Sequence, residues 1–198
     1  MLLSWCLGLL GTADARAEQP AVGSITPMLG YRAGGRFDTP LSDSRLRVDD
    51  DATLAVAANL VQAPGRLYEL YYGRQRSDLQ GSELQLQVEY LHVGGMLTWP
   101  RQGYEGFVTG TLGATRFRPG RGTGDSDVRP SASLGMGVHL PLTRRLAVRL
   151  EARGFITLTA GDRGLLCVSG PEGAACALRY EGNSFIQYEA LAGLALRF

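Results

Sequence analysis

The chain has 198 residues, 44% of them hydrophobic and 20% charged, with 20 Lys+Arg against 19 Asp+Glu. A formal net charge of +1 gives no electrostatic case for nucleic acid or for a polybasic membrane tether, and no run of eighteen apolar residues is present to make a transmembrane helix. A mean hydropathy of −0.05 with 27 glycines leaves room for a curved sheet, because alternating strands average to neutral even when one face meets lipid.

Residues 1–17 differ from the rest. Leu2 to Leu10 is apolar, and Ala15-Arg16-Ala17 supplies a small-x-small cleavage pattern before Glu18. This reads as a secretory signal peptide, leaving residues 18–198 as one exported domain. The pattern departs from the usual one in lacking Lys or Arg ahead of the apolar run. Cys6 follows the bulky Trp5 and lies too early for a lipoprotein cysteine. Export favours oxidation, so Cys167 and Cys176, nine positions apart in a Gly-rich stretch with no histidine nearby, are expected to form a structural disulfide.

The exported domain reads as eight period-two strands. From Ser24 to Phe37, Ile25, Pro27, Leu29 and Tyr31 alternate with Ser24, Thr26, Arg32 and Arg36. Residues 53–62 set Leu54, Val56, Ala58 and Leu60 against Thr53, Ala55, Ala57 and Asn59. Residues 66–76 set Tyr68, Leu70 and Tyr72 against Glu69, Gly73 and Gln75. In 83–99, Leu84, Leu86, Val88 and Tyr90 oppose Glu83, Gln85, Gln87 and Glu89, with a bulge expected at Gly94-Gly95. Residues 104–117 place Val108, Leu112 and Ala114 opposite Glu105, Thr109, Thr111 and Thr115. Segments 131–142 and 146–159 follow the same rule, the latter opposing Leu150 and Ile156 to Arg149, Glu151 and Arg153. The last strand, 184–198, carries Ile186, Tyr188, Leu194, Leu196 and Phe198 on one face, and Gln187, Glu189 and Arg197 on the other.

The connections alternate in length. Pro64-Gly65, Pro100 to Gly103 and Thr143 to Arg145 are short turns at one end, while 38–51, 77–82, 118–130 and 160–183 are loops at the other. Short turns at one end and longer loops at the other are the outer-membrane pattern. A soluble barrel would turn its apolar face inward around a ligand. Sorted loops, a terminal aromatic on the apolar face, and aromatics near strand ends (Tyr68, Trp99, Tyr104, Phe185 and Phe198) favour apolar outside and polar inside. The fold class expected is an all-β, eight-stranded antiparallel up-and-down transmembrane barrel in a Gram-negative outer membrane.

The leader, the eight strands and the ending Gly193-Leu194-Ala195-Leu196-Arg197-Phe198 resemble small bacterial outer-membrane barrels of the OmpA/OmpX/opacity type. The resemblance is architectural and covers the whole exported chain. It implies that Gly193, Leu196 and Phe198 form the signal read by the barrel-assembly machinery; Leu191 departs from the polar residue usual at its position.

With lipid outside, the other face fills the lumen. Its expected charges are Arg32, Arg36, Arg149, Arg153 and Arg197 with Glu69, Glu83, Glu89, Glu105, Glu151 and Glu189, a nearly balanced set. An eight-stranded interior holds packed side chains, and charges there must pair. This predicts a structural or surface-binding protein; the alternative is a narrow channel or transporter for small solutes. Of the two histidines, His92 follows the lipid-facing parity and His139 points inward near a turn. Neither accompanies a nucleophile motif, so no catalytic residue, cofactor or metal site is expected. Arg76, Arg116 and Arg118 lie at strand ends at head-group height, where they either meet lipopolysaccharide phosphates or are simply solvated. The stapled loop bearing Leu165, Leu166 and Val168 is either the candidate surface for a protein partner or an apolar cover packed over the barrel mouth. A monomer contacting outer-membrane lipid is expected.

Overall fold

The computed structural model describes residues 21–34, 36–38, 45–47, 51–78, 85–119, 126–158, 165–170, 173–178 and 184–198. They form β1 (Gly23–Gly34), β2 (Arg36–Asp38), β3 (Arg45–Arg47), β4 (Asp51–Ala63), β5 (Arg66–Asp78), β6 (Gln85–Arg101), β7 (Tyr104–Pro119), β8 (Asp127–Pro141), β9 (Leu146–Leu158), β10 (Leu165–Gly170), β11 (Gly173–Leu178) and β12 (Ser184–Arg197). Eight of them close into a barrel in the order β1-β12-β9-β8-β7-β6-β5-β4. Each is antiparallel to its neighbours, and the seam runs between β1 and β12. The barrel strands are 12 to 17 residues long, enough to cross an apolar layer when tilted. Closure removes the sheet edge, and with it the unpaired backbone groups that a lipid layer cannot solvate.

The short turns and the seam have local causes. Pro64 presets one dihedral of the β4–β5 turn, and Gly65 takes φ 72°, a region that favours glycine. Between β8 and β9 the Thr143 Oγ1 accepts from the Leu146 N–H at 3.1 Å. At the seam, Phe198 N–H donates to the Gly23 carbonyl at 3.0 Å, and the Phe198 carbonyl accepts from Val22 at 2.6 Å.

Burial separates the two faces. Leu29, Leu54, Val93, Leu112, Leu134 and Met136 are exposed around the outside, while Thr26, Arg32, Asn59, Glu69, Thr109 and Arg149 are buried within. A polar interior under an apolar exterior inverts the soluble pattern and is that of a transmembrane barrel. Tyr68, Trp99, Tyr104 and Phe198 are exposed near the turn end, and Tyr31, Tyr72 and Tyr188 nearer the loops. Phe185 does not belong with them. It is buried in the lumen, edge-on to Phe117 at 5.5 Å.

Three further expectations are corrected. Val88 and Tyr90 point into the lumen, and Glu89, on the other face of β6, points outward. His92 follows Tyr90 inward and is buried, against the lipid-facing parity assigned to it. The ladder through Gly94-Gly95 is continuous on both sides, so no bulge lies there; the register shifts instead between Val61 and Ala63. The cause is shared. Alternation assigns two faces, but above the lipid band apolar side chains turn inward to fill the lumen and charged ones turn out to the head groups.

The first strand, expected to run to Phe37, ends at Gly34. Arg36 and Phe37 belong instead to a hairpin, β2–β3, that extends into the segment read as loop. A second hairpin, β10–β11, lies in another, and both are too short for a period of two to register. β8 also starts earlier than expected, at Asp127. Pro130 is tolerated there because it pairs with Ala114 of β7, before pairing to β9 begins at Ser131. The leader 1–17, with Cys6, and Glu83 lie outside the described residues, and so do the side chains of Arg36, Cys167 and Cys176.

The outward assignment carries a prediction. Leu134, 76% exposed, sits mid-strand in β8. Leu134→Arg should cost about 2–4 kcal/mol in urea titrations of the protein folded in lipid vesicles, the penalty of a cation near the bilayer midplane. Were the face in water, the change would stay within about 0.5 kcal/mol.

Candidate functional site

The lumen is built from the odd-numbered residues of β4, β5, β7, β8, β9 and β12 and the even-numbered residues of β1 and β6. At its centre, Arg149 and Arg153 of β9 alternate with Glu69 of β5 and Glu151 of β9 in a closed ring. Arg149 Nη2 lies 2.7 Å from Glu69 Oε2 and from Glu151 Oε2. Arg153 Nη2 lies 2.6 Å from Glu69 Oε1 and from Glu151 Oε1. All four side chains are completely buried, at 0% exposure. Two cations and two anions cancel, which makes their removal from water tolerable.

Neutral partners complete the ring. Asn59 donates to Glu69 at 3.2 Å and accepts from Arg149 at 3.0 Å. Thr109 donates to Glu69 at 2.8 Å, and Arg153 Nη1 donates to Ser133 at 3.2 Å. The guanidiniums also lie over rings, Arg153 on Tyr71 at 4.1 Å and Arg149 on Phe107 at 4.7 Å. Gly135 leaves the room this needs, since a Cβ there would stand 2.7 Å from Glu151 Oε1.

Above the ring, Arg32 of β1 donates to Glu189 of β12 at 2.8 Å, and Tyr71 donates to the same oxygen at 3.0 Å. Arg32 lies 4.7 Å over the Tyr90 ring. Tyr90 stacks on Phe155 at 4.1 Å and donates to Gln187 at 2.7 Å. With Phe117 and Phe185 these rings pack the loop side of the lumen.

Towards the turns the lumen widens into a cavity of about 220 Å³ bordered by Asn59, Met96, Glu105, His139, Ala195 and Arg197. Glu105 accepts from His139 at 3.1 Å and lies 3.6 Å from Arg197. Of the expected luminal charges, the structure brings together Arg32, Glu69, Arg149, Glu151, Arg153 and Glu189. It leaves Glu105 and Arg197 part-exposed at the mouth and turns Glu89 to the outer face.

His92 is part of a hydrogen-bond chain that the sequence reading did not find. Its Nε2 lies 2.8 Å from Ser131 Oγ, its Nδ1 lies 3.0 Å from Thr111 Oγ1, and Thr111 lies 2.6 Å from Ser133. A serine beside a histidine is a nucleophile–base geometry. Here a threonine, not a carboxylate, holds the second nitrogen, and the pair is buried under Phe155. The signal was available in the strict phase from Val88 to His92, once that face is read as inward.

On the outer face near the loops, Arg74 and Arg76 of β5 flank Gln87 and Glu89 of β6, with Arg116 and Arg118 of β7 beyond. Arg74 donates to Gln87 at 2.9 Å, Gln87 donates to Glu89 at 2.8 Å, and Arg118 lies 3.8 Å from Glu89. Of the three terminal residues expected to act in assembly, Leu196 and Phe198 are exposed on the lipid face. Gly193 packs against β1, where a Cβ would come within 2.5 Å of Met28 Cγ.

No protein-family model and no curated protein matches the chain. Solved structures do. Neisserial surface protein A is 10% identical, covers 91% of this chain and 100% of its own, and superposes with a TM-score of 0.61. The outer-membrane protein AlkL is 9% identical over 100% and 97%, with a TM-score of 0.59. The outer-membrane protease OmpT of Escherichia coli is 8% identical over 89% and 97%, with a TM-score of 0.51. What this chain shares with them is the fold, that of the small outer-membrane β-barrels, and a fold of this kind carries unrelated functions.

Proposed function

We propose that the protein is an integral outer-membrane barrel with a sealed lumen, serving a structural or surface-binding role and catalysing nothing. The observation that carries this reading is the Arg149–Glu69–Arg153–Glu151 ring, whose four side chains are at 0% exposure. Eight strands enclose about enough space for side chains alone, and here the ring and the aromatic layer above it occupy that space. The buried Ser131–His92 pair gives substrate no approach and fits a hydrogen-bond chain that orders the lumen.

Liposome swelling tests the seal. Proteoliposomes in isosmotic arabinose should swell no faster than empty ones. A second reading, a narrow conduit, draws support from the turn-side cavity that reaches Asn59, and rapid swelling would favour it.

Export and oxidation belong to the same proposal. Cys167 and Cys176 occupy directly opposed positions of the β10–β11 ladder, which supports a disulfide between them. The mature protein should begin at Glu18 and take up no thiol reagent until it is reduced.

A further inference from the structure

Four arginines converge on the outer rim at β5–β7, and lipid-facing leucines and valines lie directly below them. Arg74, Arg76, Arg116 and Arg118 all point outward, around the carboxylate of Glu89. Among the described side chains, four cations here face one anion, a net charge of +3. Asp127 of β8 is taken by Arg129 at 2.7 Å.

The patch is organised as well as charged. Tyr72 and Gln87 both donate to Glu89 Oε1, at 3.1 and 2.8 Å, while Gln87 accepts from Arg74 and Glu89 Oε2 faces Arg118. This chain holds one guanidinium on each side of β6, Arg74 and Arg118. Arg116 is steadied by Ser126 at 3.3 Å, and Arg76 is exposed. The Nε atoms of Arg74 and Arg116 are buried without a hydrogen-bond partner among the described residues. Those two atoms are out of reach of a ligand, so an outside acceptor is met by the Nη atoms.

Leu70, Leu91, Val93 and Leu112 lie on the same outer face, one to three residue pairs further from the loops, all at least half exposed. An anion that meets this surface must carry its charge above acyl chains. A guanidinium fork pairs bidentately with phosphate oxygens, and a phosphate carried on acyl chains sets its charge at this height while the chains meet the leucines below. We infer that this rim is a binding site for the phosphates of a lipid A-type glycolipid in the outer leaflet, with Arg74, Arg76, Arg116 and Arg118 as its ligands and Glu89 as the residue that positions them. The inference rests on the outer-membrane reading above and names the partner of its surface role.

Native mass spectrometry can test it on the whole folded protein, extracted from phosphatidylcholine vesicles seeded with diphosphoryl lipid A or with phosphatidylglycerol. The wild type should retain diphosphoryl lipid A about tenfold more than phosphatidylglycerol. The R76E/R116E/R118E variant should lose that excess, as expected when several charge-assisted contacts go together. Inorganic phosphate at millimolar concentration should not displace the lipid. Equal retention of the two lipids by the wild type, retention unaffected by the triple reversal, or displacement by free phosphate would each overturn the inference. Heat-modifiable migration checks that the variant folds, and R76Q/R116Q/R118Q replaces it if it does not. A sealed lumen in the swelling assay with no lipid A preference would sink this inference and leave the sealed barrel standing.

Discussion

Arg153→Met is expected to destabilise the folded barrel by about 3–5 kcal/mol, read as a lower urea midpoint in lipid vesicles, because it strands two buried carboxylates on one remaining guanidinium. Arg153 lies within 2.6 Å of both Glu69 and Glu151, donates to Ser133 and covers the Tyr71 ring. The ring therefore loses its charge balance and a packed face together. Pairing the change with Glu69→Gln restores neutrality, leaving Arg149 with Glu151. The double variant should accordingly be more stable than Arg153→Met alone, although it has one more substitution. If the two losses simply add, the side chains do not act as one charge-balanced unit.

Phe198→Asp is expected to reduce the folded protein in the outer membrane severalfold, with precursor or degraded chain in its place, because a charge replaces the apolar group on the outer face of the closing strand. Phe198 is 58% exposed on the outer face, and its backbone pairs with Val22 and Gly23 at the seam. The side chain is thus free to be read by an assembly factor while the main chain closes the barrel. Quantitative immunoblots of outer-membrane fractions, with refolding of purified chain into vesicles as a control, separate the two roles. Normal membrane levels would remove the assembly role from this residue. Loss of unassisted refolding as well would move the defect to the seam itself.

Much of the barrel was legible because a period of two is a local property. Val56, Ala58 and Leu60 against Ala55, Ala57 and Asn59 announce both the strand and its faces, and Pro64-Gly65 fixes where it turns. The partition of charge was legible for the same reason. Arg149, Glu151 and Arg153 on one face of one strand can only enter the lumen together if Leu150 and Ile156 meet lipid.

Polarity was not legible where the barrel leaves the lipid. Tyr90 and Glu89 alternate as well as any pair in the chain, yet their direction depends on height along the barrel axis, which sequence spacing does not encode. That one inversion moved Glu89 out, drew His92 in, and turned Arg76, Arg116 and Arg118 from strand-end charges into parts of a patch that also includes Arg74. Nor does spacing announce which charges meet across the barrel. Glu69 and Arg149 are 80 positions apart in sequence and 2.7 Å apart in space.

The central claim is that the lumen is filled, and single-channel recording in planar bilayers tests it most directly. The wild-type barrel should insert without conductance steps at either polarity if the Arg149–Glu69–Arg153–Glu151 ring and the Tyr90–Phe155 stack fill the lumen as proposed. Reproducible ohmic steps from the wild-type protein would contradict the account and make the lumen a conduit.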